Sequence, residues 1–175
     1  MQSGCVELEG PNLEEFSYWN FANPDEEEPL SLPPPCYLKM CECKKLKRLY
    51  LYGIAIKDEF LIGIARKFPI FEELTIKYCI LLQTINISSQ TIKRVNLNTI
   101  SNWEYKEARF DVPNIVHFKY RGNSINLFSS TAPSSPLVFD LKCHDRDILE
   151  TSWFSELNEL LTKINKSEIS IEIGL

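Results

Sequence analysis

The sequence predicts an α/β solenoid. It is expected to be a curved right-handed stack of repeats, with parallel strands on the concave side, mixed strands and a helix on the convex side, and a C-terminal helix plus strand as cap. Three observations predict it. The first is a recurring motif, Leu46-x-x-Leu49-x-Leu51, Phe71-x-x-Leu74-x-Ile76, Ile92-x-x-Val95-x-Leu97, Ile115-x-x-Phe118-x-Tyr120 and Val138-x-x-Leu141-x-Cys143. The second is its spacing: starts at 46, 71, 92, 115 and 138 give intervals of 25, 21, 23 and 23 residues. A leucine-rich repeat has this motif and a period of roughly 20–29 residues, with one strand per repeat. The third is a weaker alternating set between the motifs: Leu82-x-x-Ile85-x-Ile87, Ala108-x-Phe110-x-Val112 and Ile125-x-Leu127. Alternation is the signal of a half-buried strand, so these read as return strands on the convex side.

The chain reads as one leucine-rich-repeat domain over 1–175. Residues 1–22 carry first partial repeats, with Leu13-x-x-Phe16-x-Tyr18 as an early copy of the motif and Val6 and Leu8 before it. Residues 23–42 read as an acidic and proline-rich loop insertion, because Asp25-Glu26-Glu27-Glu28 stays solvated and Pro33-Pro34-Pro35 donates no ladder hydrogen bond. An acidic interaction tail is the alternative for this stretch. Regular repeats follow over 43–146. In the first of these, Ile56, Phe60, Ile64 and Phe68 recur every four residues and predict an amphipathic helix across 57–67, ended by Pro69. Residues 147–175 form the cap. Ile148, Leu149, Trp153, Leu157, Leu160, Leu161 and Ile164 follow helical spacing, with Thr151 or Ser152 as N-cap, and Ile169-x-Ile171-x-Ile173 alternates as a last strand.

Composition narrows the function. The net charge of -5 is a poor basis for binding nucleic acid, which rests on positive patches. No apolar run approaches the roughly 20 residues of a membrane span, and the first residues show no basic-then-apolar leader, so a reducing cytoplasmic or nuclear setting is expected. Six cysteines are present. The spacing Cys36-x4-Cys41-x-Cys43 does not match common zinc pairs, and Cys43 and Cys79 fall at repeat positions that bury small side chains. No metal, no cofactor and no catalytic residue is expected. His144 beside Asp145 and Asp147 reads as a solvated turn, because neighbours on a strand face opposite sides.

Strand alternation divides the motif into an inward set and an outward set. The outward positions are Glu15, Ser17 and Trp19; Arg48, Tyr50 and Tyr52; Glu73, Thr75 and Lys77; Arg94, Asn96 and Asn98; His117, Lys119 and Arg121; and Asp140, Lys142 and His144. Six are Lys or Arg and three are Asp or Glu, so an acidic protein is expected to carry a concave face of positive balance. Arg48, Tyr50, Tyr52, Lys77, Arg94, Asn96, His117, Lys119, Arg121 and Lys142 form the candidate interaction face. Tyr50, Tyr52 and the first three cations would stand near its centre. Tyr and Arg are common interface anchors, and Arg grips carboxylate or phosphate with two parallel hydrogen bonds. The face therefore suits a protein or peptide with acidic or phosphorylated groups. The plainer reading is a wet polar sheet face without a ligand.

Three phrases give the repeats a family likeness: Phe71-Glu72-Glu73-Leu74-Thr75-Ile76-Lys77-Tyr78-Cys79, Ile85-Asn86-Ile87-Ser88-Ser89-Gln90-Thr91-Ile92-Lys93, and Phe110-Asp111-Val112-Pro113-Asn114-Ile115 running to Tyr120-Arg121-Gly122. In this order they resemble the leucine-rich region of plant F-box proteins of the F-box/FBD type, over about 43–175, with Pro11-Asn12-Leu13-Glu14-Glu15-Phe16 extending the likeness. The resemblance implies a non-enzymatic substrate-recognition region of a Skp–cullin–F-box ubiquitin ligase. The F-box phrases and the FBD segment have no counterpart in these residues. Direct binding to a Skp-type scaffold protein is therefore not expected. A leucine-rich segment of another plant recognition protein, such as an immune receptor, or a truncated gene product without independent function, is the alternative.

Overall fold

The computed structural model describes residues 4–19, 36–62, 64–79, 81–98, 107–122, 128–130, 137–143, 151–163 and 166–173. The elements in chain order are β1 (Gly4–Glu9), β2 (Glu15–Trp19), β3 (Cys36–Cys41) and β4 (Arg48–Tyr52), then a 3-10 turn (Asp58–Phe60) and α1 (Ile64–Lys67). They continue with β5 (Glu73–Lys77), β6 (Thr84–Ser88), β7 (Arg94–Asn98), β8 (Glu107–Asp111), β9 (His117–Arg121), β10 (Phe128–Ser130), β11 (Leu137–Cys143), α2 (Thr151–Lys163) and β12 (Lys166–Ile173). The protein is α/β. Seven strands form one open sheet in the order β12-β11-β9-β7-β5-β4-β2, and every described pairing in it is parallel. A second parallel sheet has the order β10-β8-β6, and β1 pairs with β3.

Parallel neighbours need a connection that leaves the sheet and returns. Here β6 lies on the leg between β5 and β7, and β8 on the leg between β7 and β9. Each pass through the large sheet repeats one register. Leu49, Leu74, Val95, Phe118 and Phe139 form one row, and Leu51, Ile76, Leu97, Tyr120 and Leu141 form another. All ten are buried. Ile85, Ile87 and Phe110 of the second sheet are buried in the same core, and the Phe110 ring meets Phe118 edge-on at 5.2 Å. The core thus lies between the two sheets, and each of these side chains contributes about 1.5–3 kcal/mol by leaving water. Gly53 follows β4 with φ 62°, where glycine carries no Cβ penalty, and its N–H donates to the Lys77 carbonyl at 2.9 Å. Tyr78 takes the same left-handed conformation after β5, with φ 54°, and donates to the Asn98 carbonyl at 2.9 Å.

Three expectations are corrected. First, residues 36–41 are a strand and not part of a loop. Leu38 and Met40 pack against the core, while Lys39 between them is exposed and pairs with Glu7 on β1. This is period-2 alternation hidden behind the proline run. Second, no continuous helix spans 57–67. Leu61 is buried and Phe60 only partly, so the tighter 3-10 turn moves the core position by one residue. The sequence places Gly63 in that span, and glycine in a helix interior costs about 1 kcal/mol relative to alanine. Asp58 instead accepts a hydrogen bond from the Gln83 N–H at 2.7 Å.

Third, β11 pairs two residues away from the expected alignment: Phe139 lies on Phe118 and Leu141 on Tyr120. A two-residue shift keeps the same side chains inward, and the stacked Phe118 and Phe139 rings, 5.4 Å apart and 4° from parallel, select it. The strand expected at Ile169-x-Ile171-x-Ile173 is present over Lys166–Ile173, after the expected helix. It extends the sheet as β12, with Ile169 on Phe139 and Ile171 on Leu141. Both isoleucines hold inward register yet remain 36% and 40% exposed. Helix α2 does meet the core, through buried Trp153 and Leu160 and partly buried Leu157. The Ile125-x-Leu127 expectation and the 144–150 segment lie outside the described residues.

Leu74 sits at zero exposure in the inward row. Leu74→Asp removes about 1.5–3 kcal/mol of burial and adds an unpaired buried charge. The variant is expected to lose its cooperative urea transition by circular dichroism, whereas Ile171→Thr shifts stability by less than about 1 kcal/mol. A wild-type midpoint for Leu74→Asp would exclude this register.

Candidate interaction face

The period of two that buries the inward rows turns the alternate residues of the seven strands to the other face. Three rows cross it. The row at the strand starts runs Glu15, Arg48, Glu73, Arg94, His117, Val138. The middle row runs Ser17, Tyr50, Thr75, Asn96, Lys119, Asp140. The row at the strand ends runs Trp19, Tyr52, Lys77, Asn98, Arg121, Lys142.

The first row is compensated. Arg48 Nε donates to Glu15 Oε2 at 2.6 Å, and this hydrogen bond, with the Glu15 charge, raises the guanidinium pKa above its ordinary value. Burial, and next the Glu73 and Glu15 charges, raise the Tyr50 phenol pKa. His117 Nε2 and Asp140 Oδ2 lie 3.1 Å apart, bridging the first and middle rows. One residue earlier, the same alternation recurs as Lys47–Glu14 at 2.9 Å and Lys93–Glu72 at 2.7 Å. Arg48 is therefore held by a carboxylate, with its side chain still exposed.

The last row differs. Trp19, 45% exposed, stacks on Tyr52 with ring centroids 3.8 Å apart and planes 10° apart. The Lys77 ammonium stands 5.2 Å from the centre of the Tyr52 ring, within cation–π range. Burial, and next the charges of Lys119 and Arg121, lower the Lys77 pKa, and burial raises that of Tyr52. No acidic residue stands in this row between Trp19 and Lys142; Glu172 on β12 follows. The β11 correction matters here, because it sets Lys142 beside Arg121 and Asp140 beside Lys119.

Ten residues were expected on the face, and the register brings all ten onto it. Two other outward positions are not offered to solvent. Thr75 and Asn98 are only 3% and 5% exposed, and Asn98 Nδ2 donates to the Tyr78 hydroxyl at 3.2 Å. Trp19 carries more of the site than its place outside the ten implied; its signal was its position, equivalent to Tyr52 in the earlier motif copy. His144 lies outside the described residues. Cys43 and Cys79 are buried free thiols, and burial pushes Cys79 up to about 12, well away from reactive thiolate chemistry. No helix among the described residues is long and apolar enough to cross a membrane.

Lys47 and Lys93 hold the Glu14 and Glu72 carboxyls below their ordinary value of 4.5, chiefly through the hydrogen bonds. A depressed carboxyl stabilises the fold above its unfolded pKa, and that contribution is lost as pH falls through the folded pKa. Carbon-detected NMR titration is expected to place both midpoints under 4.5, and Lys93→Met is expected to raise the Glu72 midpoint alone. Midpoints unmoved by Lys93→Met would remove the pairing.

No protein-family model, curated protein or solved structure matches the chain, so the likeness to F-box/FBD repeats rests on the phrases Phe71–Cys79, Ile85–Lys93 and Phe110–Gly122.

Proposed function

We propose that the chain is a non-enzymatic protein-interaction module. In this reading it is a leucine-rich-repeat solenoid, similar to the substrate-recognition half of an F-box ubiquitin-ligase receptor, and the polar face of the large sheet is the surface that holds a partner protein. The observation that carries the reading is the in-register parallel sheet. Each of β4, β5, β7 and β9 begins two residues after a motif start, and each adds the same three outward positions to one continuous face. Such a grid presents side chains for recognition, and its aromatic and cationic content matches interface anchors. No binding to a Skp-type scaffold is assigned to these residues.

The test is selection of protein binders from a displayed library on the immobilised chain. Binders are expected to lose at least tenfold in affinity for a Lys77→Glu/Lys119→Glu variant and to keep it for Arg66→Glu on the exposed end of α1. Binders equally tight to all three proteins, or no specific binder, would overturn the reading.

A further inference from the structure

The two ends of the strands give the face two different chemistries. At the strand starts, acid and base alternate from strand to strand, and Arg48 is bonded to Glu15. At the strand ends an aromatic shelf, Trp19 on Tyr52, leads into Lys77 and then Arg121 and Lys142, with Lys119 one row in. Lys119 is exposed and has no carboxylate within ion-pair distance among the described residues. Lys77 loses part of its hydration and feels the Lys119 and Arg121 charges. Asp140 stands beside Lys119 and Glu172 beside Lys142, yet the four cations outnumber these two acids, a local reversal of sign on a chain of net charge -5. An incoming carboxylate would relieve the repulsion among the cations.

Resting on the interaction reading above, we infer that this strand-end row binds an extended acidic peptide segment of a partner protein, laid across the strands. An aromatic or large apolar residue sits on Trp19–Tyr52, and carboxylates meet Lys77 and, farther along, Lys119, Arg121 and Lys142. Geometry sets the length. Strands lie about 4.8 Å apart, so the five intervals from β2 to β11 span about 24 Å, which an extended chain covers with about seven residues. Lys77 is two strands from Trp19, about 10 Å, or about three residues along the peptide; Arg121 is four strands away, about 19 Å, or about six. The segment therefore carries its acids about three and six residues from its aromatic anchor.

The probe is the labelled peptide Trp-Ala-Ala-Glu-Ala-Ala-Glu, read by fluorescence anisotropy against the full chain at low salt. It is expected to bind at least tenfold more tightly than versions with both Glu replaced by Gln or by Lys, and at least threefold more tightly than the version with Trp replaced by Ala. Raising salt is expected to weaken it, since surface charge attraction is screened. Lys77→Glu and Lys119→Glu are each expected to lose at least tenfold, and Trp19→Ala threefold, with unfolding midpoints retained. Equal binding of the Glu and Gln peptides, or unchanged binding by Lys119→Glu, would overturn the inference. So would equal binding of a single-stranded oligonucleotide of similar charge, which would make the row a general anion trap. A concentration-dependent dimer abolished by Lys119→Glu would assign the row to a second copy and also overturn it. Library binders that depend on the face while the Glu peptide fails would leave the interaction module standing and remove only this ligand.

Discussion

Every feature of the face depends on one constraint: parallel strands must stack in register so that two inward rows close on each other. Leu49, Leu74, Val95, Phe118 and Phe139 fill one row, and Leu51, Ile76, Leu97, Tyr120 and Leu141 the next. A slip of one residue in any strand would turn its apolar set to water and its polar set into the core. Each buried side chain is worth about 1.5–3 kcal/mol, so such a slip is strongly disfavoured. The outer rows are aligned as a by-product. No contact between Trp19 and Tyr52, or between Lys77 and the Tyr52 ring, is needed to place those residues side by side; the buried rows do it.

That alignment gives the two ends of the strands unlike surroundings. Where acids and bases alternate, neighbours satisfy one another, and exposed pairs of this kind add little to stability. Where aromatic residues give way to cations, Lys77, Arg121 and Lys142 share one row with Asn98 after Lys77. Burial of Thr75 and Asn98 within the polar face shows that it is not uniformly wet. The net charge of the chain says nothing of this, because sign is distributed by register and not by composition.

The strands were the legible part of the sequence, since motif and period repeat over β4, β5, β7 and β9. The final strand was harder for a physical reason. Leu137, Phe139, Leu141 and Cys143 alternate throughout, so period alone permits alignments two residues apart, and the Phe118–Phe139 stack chooses between them. Strand β3 was hidden by the prolines before it, which signal a loop while Leu38 and Met40 still carry the alternation. The 57–67 pattern satisfied helical spacing but ignored the weak helix propensity of Gly63. The Lys47–Glu14, Arg48–Glu15 and Lys93–Glu72 pairs span 21 to 33 residues and are invisible within one repeat. Alignment of the repeats would have exposed them, because Glu14-Glu15, Lys47-Arg48, Glu72-Glu73 and Lys93-Arg94 stand at equivalent places.

Those four dipeptides have a consequence for assembly. Repeats with nearly interchangeable apolar rows invite a folding error in which one strand is skipped and the next but one takes its place. Their hydrophobic matching would tolerate the mistake. The charges would not: β2 beside β5 sets Glu14-Glu15 against Glu72-Glu73, and β4 beside β7 sets Lys47-Arg48 against Lys93-Arg94. Like charges directly opposite on neighbouring strands are unfavourable by some tenths of a kcal/mol each. Over β2, β4, β5 and β7 the alternation thus works as a sequence of keys, in which a strand accepts its next neighbour in the sheet and repels the one after that.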